Sequence, residues 1–325
     1  MPITMVGSWT SVAADRPFRT WLRTAPGSVG VHLADGRFVV RRAEPGAPEI
    51  ATLTLADGAI VALDPRGELV AVATGSRLEL LAMSGATLKS AELARGLVVK
   101  DVEIRADGER LWVFGTLDAT FQAHAFDRDL TPAGAYALEL PQGPYPTTIN
   151  VHPHEDAFVV TTNEDGRDQE ATIHRMGLRA EGGVLRVAFD QDEIDHPCVG
   201  FTRDGSAIVG VDAYSGVRLF AWPDYEFVAG AAPPDGFESR FDGAIVGDHV
   251  LTERHPADTT DSSLLVLAVP SLDEEGQIDW SARGEFGTPE DDAGNDLGPS
   301  LGADRFLEVT RDADAWTLRI WRLDA

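Results

Sequence analysis

Ile60-Val61-Ala62-Leu63-Asp64-Pro65-Arg66-Gly67-Glu68-Leu69-Val70-Ala71-Val72-Ala73, followed by the alternating Arg77-Leu78-Glu79-Leu80, is the stretch from which the fold is read. A short apolar strand runs into Asp-Pro-Arg-Gly, whose residues supply turn geometry. The unbroken apolar run after it suits a strand covered on both faces, and the alternation suits a strand with one wet face. The same turn and run recur as Asp107-Gly108 before Leu111-Trp112-Val113-Phe114, His154-Glu155-Asp156 before Phe158-Val159-Val160, and Asp204-Gly205 before Ala207-Ile208-Val209. Two weaker copies are Gly247-Asp248 before His249-Val250-Leu251 and Ala303-Asp304 before Phe306-Leu307.

Successive turns lie roughly 43 to 56 residues apart, the period of a four-stranded propeller blade. Helical periodicity between good caps is absent from the chain beyond two turns, so the fold class is all-β. The expected architecture is a single β-propeller domain over residues 1–325, with seven four-stranded blades whose strands are A to D from the inside out. Six units start near Ala59. The preceding segment fits strands B, C and D of a seventh through Val29–Leu33, Arg37–Val40 and Ile50–Leu55. The last unit stops after its C strand, Leu318-Arg319-Ile320-Trp321. Ile3 to Trp9 is the expected donor of its missing D strand, which would leave no free sheet edge there.

Bulk properties narrow the function classes. The chain carries 53 acidic against 27 basic residues, a net charge of −26 spread along its length. Binding to nucleic acid or to an anionic membrane through bulk charge is disfavoured, because that affinity comes from Lys and Arg neutralising phosphates. The excess acid serves solubility and also suits a cationic partner. One cysteine, Cys198, allows neither an intrachain disulfide nor a thiolate cluster. With no signal-like amino terminus and no apolar stretch of about 18 residues, the expectation is a cytoplasmic monomer.

The repeats resemble the WD40 and YVTN-type propeller superfamily. Leu318-Arg319-Ile320-Trp321-Arg322-Leu323 resembles the third-strand ending of a WD40 blade, and Leu63-Asp64-Pro65-Arg66-Gly67-Glu68-Leu69 the YVTN-type turn. The Gly-His blade opening and the Trp-Asp dipeptide are both missing. The WD40 resemblance implies a non-enzymatic protein- or peptide-binding propeller. The YVTN resemblance implies the alternative, a lactonase-like hydrolase using a divalent metal or a carboxylate pair.

Motifs with catalytic or metal-binding form are few. Gly298-Pro299-Ser300-Leu301-Gly302 matches a nucleophile elbow in letters, but no histidine follows it, so the required acid and histidine downstream are impossible. His152-Pro153-His154-Glu155-Asp156 offers metal-ligand types, yet it coincides with a blade turn where Pro and acids are expected on turn chemistry alone. His196, beside Asp195 and near Cys198, makes a weaker case of the same kind. Of the seven tryptophans, Trp112, Trp222 and Trp321 fall on expected strands, and Trp21, Trp280 and Trp316 are the candidates for exposure.

Acid concentrates in connections. Asp165 and Asp168 lie in an expected B to C loop, and Asp190, Asp192, Glu193 and Asp195 in a D to A loop. Asp291, Asp292 and Asp296 lie in another D to A loop, and Asp258, Asp261, Asp312 and Asp314 in two further B to C loops. In a meander these connections share one face. The expected site is therefore an acidic face that binds a protein or basic peptide. Such a face also suits Ca²⁺ or Mg²⁺, although no cofactor is required by the sequence. Wet loops of an acidic protein are acidic in any case.

Overall fold

The structure, a computed structural model, describes residues 2–11, 22–140, 143, 145–163, 173–194, 198–212, 216–256, 263–279, 296–312 and 315–324. Its strands are numbered along the chain and form seven four-stranded antiparallel sheets, with no helix among the described residues. The chain divides into two compact units, one of Ala13–Arg42 with Pro48–Glu193 and one of Met1–Val12, Ala43–Ala47 and Ile194–Ala325.

The first unit carries four sheets, each a simple meander in chain order. These are β2 (Leu22–Ala25), β3 (Ser28–His32), β4 (Arg37–Arg42) and β5 (Glu49–Thr54), then β6 (Ile60–Leu63), β7 (Leu69–Thr74), β8 (Arg77–Ala82) and β9 (Thr87–Glu92). The third is β10 (Val98–Ile104), β11 (Arg110–Leu117), β12 (Thr120–Asp127) and β13 (Pro132–Leu138), and the fourth β14 (Thr148–Val151), β15 (Ala157–Asn163), β16 (Ile173–Glu181) and β17 (Val184–Ile194). The other unit carries β18 (Cys198–Phe201), β19 (Ala207–Asp212), β20 (Gly216–Ala221) and β21 (Phe227–Ala231), then β22 (Phe237–Val246), β23 (His249–Pro256), β24 (Ser263–Ala268) and β25 (Glu274–Asp279). Its third sheet is β26 (Asp296–Ser300), β27 (Arg305–Asp312), β28 (Ala315–Leu323) and, as fourth strand, β1 (Ile3–Ser11). β1 pairs with β28 from Ile3 opposite Leu323 to Ser11 opposite Trp316, so the amino-terminal strand completes the last blade. Seven four-stranded blades closed in this way are the propeller expected from the repeats.

Local chemistry explains the turns. In the second blade the Asp64 N–H donates to the Leu69 carbonyl at 3.2 Å and the Gly67 N–H to the Asp64 carbonyl at 2.8 Å. The pattern repeats for Arg105, Gly108 and Arg110 and for Thr202, Gly205 and Ala207. The three glycines have φ of 69°, 72° and 76°, a left-handed conformation that a side chain would strain. Asp107 and Asp204 accept the N–H two residues on, from Glu109 at 2.9 Å and Ser206 at 3.0 Å, which is the turn-forming habit of aspartate.

Packing explains the unbroken runs. On β7, Val70 and Val72 enter a core with Phe38, Val40 and Leu53 of the first blade, while Ala71 and Ala73 face Val102, Leu111 and Val113 of the third. A strand buried on both sides cannot alternate. Trp112, Phe114 and Phe121 likewise pack with Phe158, Val160 and Leu178 between the third and fourth blades. β9 is largely exposed, as a fourth strand should be.

A register shift between Met5 and Gly7 takes Val6 out of the β1 ladder, and its carbonyl accepts the Gly46 N–H at 3.0 Å. Ala43 and Ala47 are fully buried, and Arg305 donates to the Ala43 carbonyl. The Ala43–Ala47 turn is thereby fastened to the last blade.

Candidate functional site

The first strands of the four-blade unit carry a polar cluster. Arg23, on β2, extends to β10, where its Nη2 donates to Asp101 Oδ1 at 2.7 Å and its Nη1 lies 3.5 Å from Glu103 Oε1. The reach passes β6, whose Ile60, Val61, Ala62 and Leu63 bring no charge to meet it. β10 explains the geometry: Val102 is buried in the core, so its neighbours Asp101 and Glu103 turn to the other face. The Val102 N–H also donates to Asp101 Oδ1 at 2.9 Å. Burial acts to lower the Arg23 pKa, but Asp101 and Glu103 outweigh it and hold the guanidinium above its ordinary value, with Tyr145 adding to the effect. The side chains of Arg23, Asp101 and Glu103 are 10%, 23% and 38% exposed, so the carboxylates meet solvent and the guanidinium hardly does.

At the turns after the first strands, side-chain ion pairs tie blades together. Asp156 receives Arg110 through Nε at 2.8 Å and Nη2 at 2.7 Å, and Arg105 through Nη1 at 2.7 Å. Arg105 also grips Asp107. Burial pushes the Asp107 carboxyl up, but bonds from Arg105 and the Glu109 N–H more than offset this and hold it below the usual range. The hydrogen bond to Asp156 raises the Arg110 pKa. Arg66 with Glu109 and Arg128 with Glu68 add two exposed links.

Of the residues singled out by sequence, Asp165, Asp168, Asp195, Asp258, Asp261, Asp291, Asp292 and Asp314 lie outside the described residues. Asp190, Asp192 and Glu193 lie on β17, Asp296 opens β26 and Asp312 closes β27. The expectation of a connecting loop from Asp190 is thus corrected, since strand continues through Ile194. Carboxylates are tolerated there because Asp190 and Asp192 are exposed on the outermost strand. Asp190 accepts from, or donates to, the buried His174 across the ladder, with Nε2 and Oδ1 2.5 Å apart.

His152 and Asp156 belong to a blade turn. The His152 Nδ1 accepts the N–H groups of His154 and Glu155 at 3.1 and 2.9 Å, and Asp156 is taken by the two arginines. Among the described residues no three of His, Cys, Asp and Glu gather as a metal site. Ser300 ends β26 and is followed by a short turn into β27, without the helix an elbow requires. His196, Trp21 and Trp280 fall outside the described residues, while Trp316 is half-buried on β28.

Sequence reading did not single out Arg23, Asp101, Glu103 or Tyr145. The available signal was the alternation Asp101-Val102-Glu103-Ile104, which gives this first strand a polar face where Ile60-Val61-Ala62-Leu63 has none.

The sequence matches no protein-family model and no curated protein. In structure the chain is similar to the β-propeller domain of Cps50 (Swd1) from Myceliophteria thermophila, with a TM-score of 0.58 and 10% identity over 99% of this chain and 100% of that one. The fold is that of a WD40-type propeller.

Proposed function

We propose that the chain is a non-enzymatic propeller that holds a basic protein segment or peptide against its carboxylates. A WD40-type propeller presents many loops on a rigid scaffold, and protein contact is the use its structural neighbour suggests. The observation that carries the reading is the solvent-reachable pair Asp101 and Glu103 on a first strand, in a chain of net charge −26. Asp101 and Glu103 flank the buried Val102 on the first strand of their blade and stand on the opposite face, where a cationic side chain from solvent can reach them. The negative field of the whole molecule would speed the encounter, and salt would weaken it.

The test is binding of a lysine- and arginine-rich peptide, followed by fluorescence anisotropy at low and high salt, beside a glutamate-rich peptide of equal length. Selective capture of the basic peptide that fades with salt supports the reading. Equal capture of both peptides, or none of either, overturns it.

A further inference from the structure

We infer that the outer edge of β21, in the fifth blade, is a docking strand. An extended segment of another protein, apolar at alternate positions and carrying Lys or Arg at its ends, adds to it as a further strand. This surface is separate from Asp101 and Glu103 of the third blade and goes beyond the reading above.

An outermost strand directs alternate N–H and C=O groups away from its sheet, and proteins guard such edges with charge, proline or a covering loop. β5, β9, β17 and β25 hold exposed charges, among them Glu49, Lys89, Arg186 and Glu274. β13 opens on Pro132, and its other exposed residues are alanines. β1 is uncharged, but the Gly46 N–H closes on its Val6 carbonyl. β21, Phe227-Val228-Ala229-Gly230-Ala231, has none of these guards among the described residues and pairs in its sheet with β20 alone. The bulge beside Phe227 has counterparts at β5, β9, β13 and β25, so it does not set this edge apart. Large apolar side chains do: Phe227 is 64% and Val228 48% exposed. The Phe227 ring is nonetheless held. It meets the Phe220 ring edge-on at 6.1 Å and lies so close over Gly230 that a Cβ there would stand 3.2 Å from its Cζ. A ring fixed in place with most of its surface in water is a preorganised anchor, since little freedom remains to be lost when a partner covers it.

The flanking charge decides the occupant. Asp224 and Glu226 before the strand and Asp235 after it are exposed. Two copies of β21 paired antiparallel about a two-fold axis would bring Asp224 and Glu226 of one towards Asp235 of the other, and each chain carries a net charge of −26. A second copy is therefore repelled. A partner strand with cationic ends meets these carboxylates favourably while its apolar side chains cover Phe227 and Val228.

The experiment follows, by fluorescence anisotropy with the full chain, a labelled peptide of alternating valine and threonine between lysine ends. Two further probes are the same peptide N-methylated throughout, which keeps its side chains and charge but loses its backbone donors, and a form with glutamate ends. The parent is expected to bind, the methylated peptide not to bind, and the glutamate-ended form to bind about tenfold more weakly. Phe227→Ala should weaken the parent about tenfold. Should that variant fail to fold, as judged by circular dichroism, Val228→Lys puts a charge on the edge and should give a like loss. If wild type and the folded variant bind the parent equally, or the methylated peptide binds as well as the parent, the lysines alone are held, and this inference falls while the proposed function stands. Equal binding of the glutamate-ended form overturns it too. If wild type binds no form, this inference falls, and the proposed function is decided by its own lysine- and arginine-rich peptide. A wild-type dimer in sedimentation that Phe227→Ala dissociates would give the edge to a second copy and overturn the inference as well.

Discussion

Gly7 lies so close to Ala47 that a Cβ at Gly7 would stand 2.8 Å from the Ala47 Cβ and 3.0 Å from its backbone nitrogen. Glycine is required here by the approach of the Ala43–Ala47 turn to the bulged β1. Ala47 itself has φ of 42°, a left-handed conformation unfavourable for a residue with a side chain. Gly7→Ala should therefore destabilise the protein by about 1–3 kcal/mol through overpacking. Adding Ala47→Gly, which removes the opposing methyl and relaxes the backbone, should recover much of the loss. A double-mutant cycle by urea denaturation checks this, and strictly additive losses would contradict the contact.

Asp156→Ala removes the common partner of Arg105 and Arg110, whose side chains are only 12% and 20% exposed. The expected cost is about 1–3 kcal/mol, set chiefly by leaving the largely buried Arg110 guanidinium poorly paired, since Arg105 keeps Asp107. Glu155→Ala, next to it, breaks a 3.2 Å pair with Arg179 in which the side chains are 36% and 42% exposed, and should change stability by less than about 0.5 kcal/mol. Thermal melting of the two variants side by side decides the matter.

Asp204 carries an acid-sensitive contribution. The Ser206 N–H, followed by the Thr202 and Ser206 hydroxyls, holds its carboxyl below the ordinary range despite some burial. A carboxyl with a depressed native pKa adds stability that is complete above its unfolded value of about 4 and is lost as pH falls through the lower native value. Asp204→Asn should be less stable than wild type at neutral pH, with the gap narrowing below about pH 4. Denaturation midpoints across that range provide the check, and a gap independent of pH would refute the assignment.

Glu308 is 1% exposed on β27, and it accepts Trp321 Nε1 at 2.7 Å and Arg319 Nη1 at 3.1 Å. Glu308→Ala should cost about 1–3 kcal/mol, chiefly by stranding the indole N–H. Glu308→Gln keeps an acceptor for Trp321 and should lose less. A change in tryptophan fluorescence should accompany the alanine variant.

These contacts differ in how far the sequence discloses them. The Asp64 and Asp204 turns are legible because a hairpin is local: Asp, Pro and Gly sit within a few residues of the strands they join. The run Leu69 to Ala73 is legible because burial on both faces leaves no polar phase in the chain. Asp190 and Asp192 mislead because carboxylates are poor strand formers by propensity, while an outermost strand lets them stay wet. Arg23 and Asp101 are 78 positions apart, and nothing near either names the other. Their meeting follows from how blades are stacked, which no local pattern encodes.

The hydrogen bond from Thr4 to Asp324 spans 320 positions, and β1 has its ladder only once β28 exists. At about 5–20 residues per second on the ribosome, β1 waits tens of seconds for β28 to be made. Ile3 to Ser11 carries no charge to discourage stray pairing during that interval. Holding β1 apart until β28 is made would therefore raise the yield without altering a single contact of the finished fold.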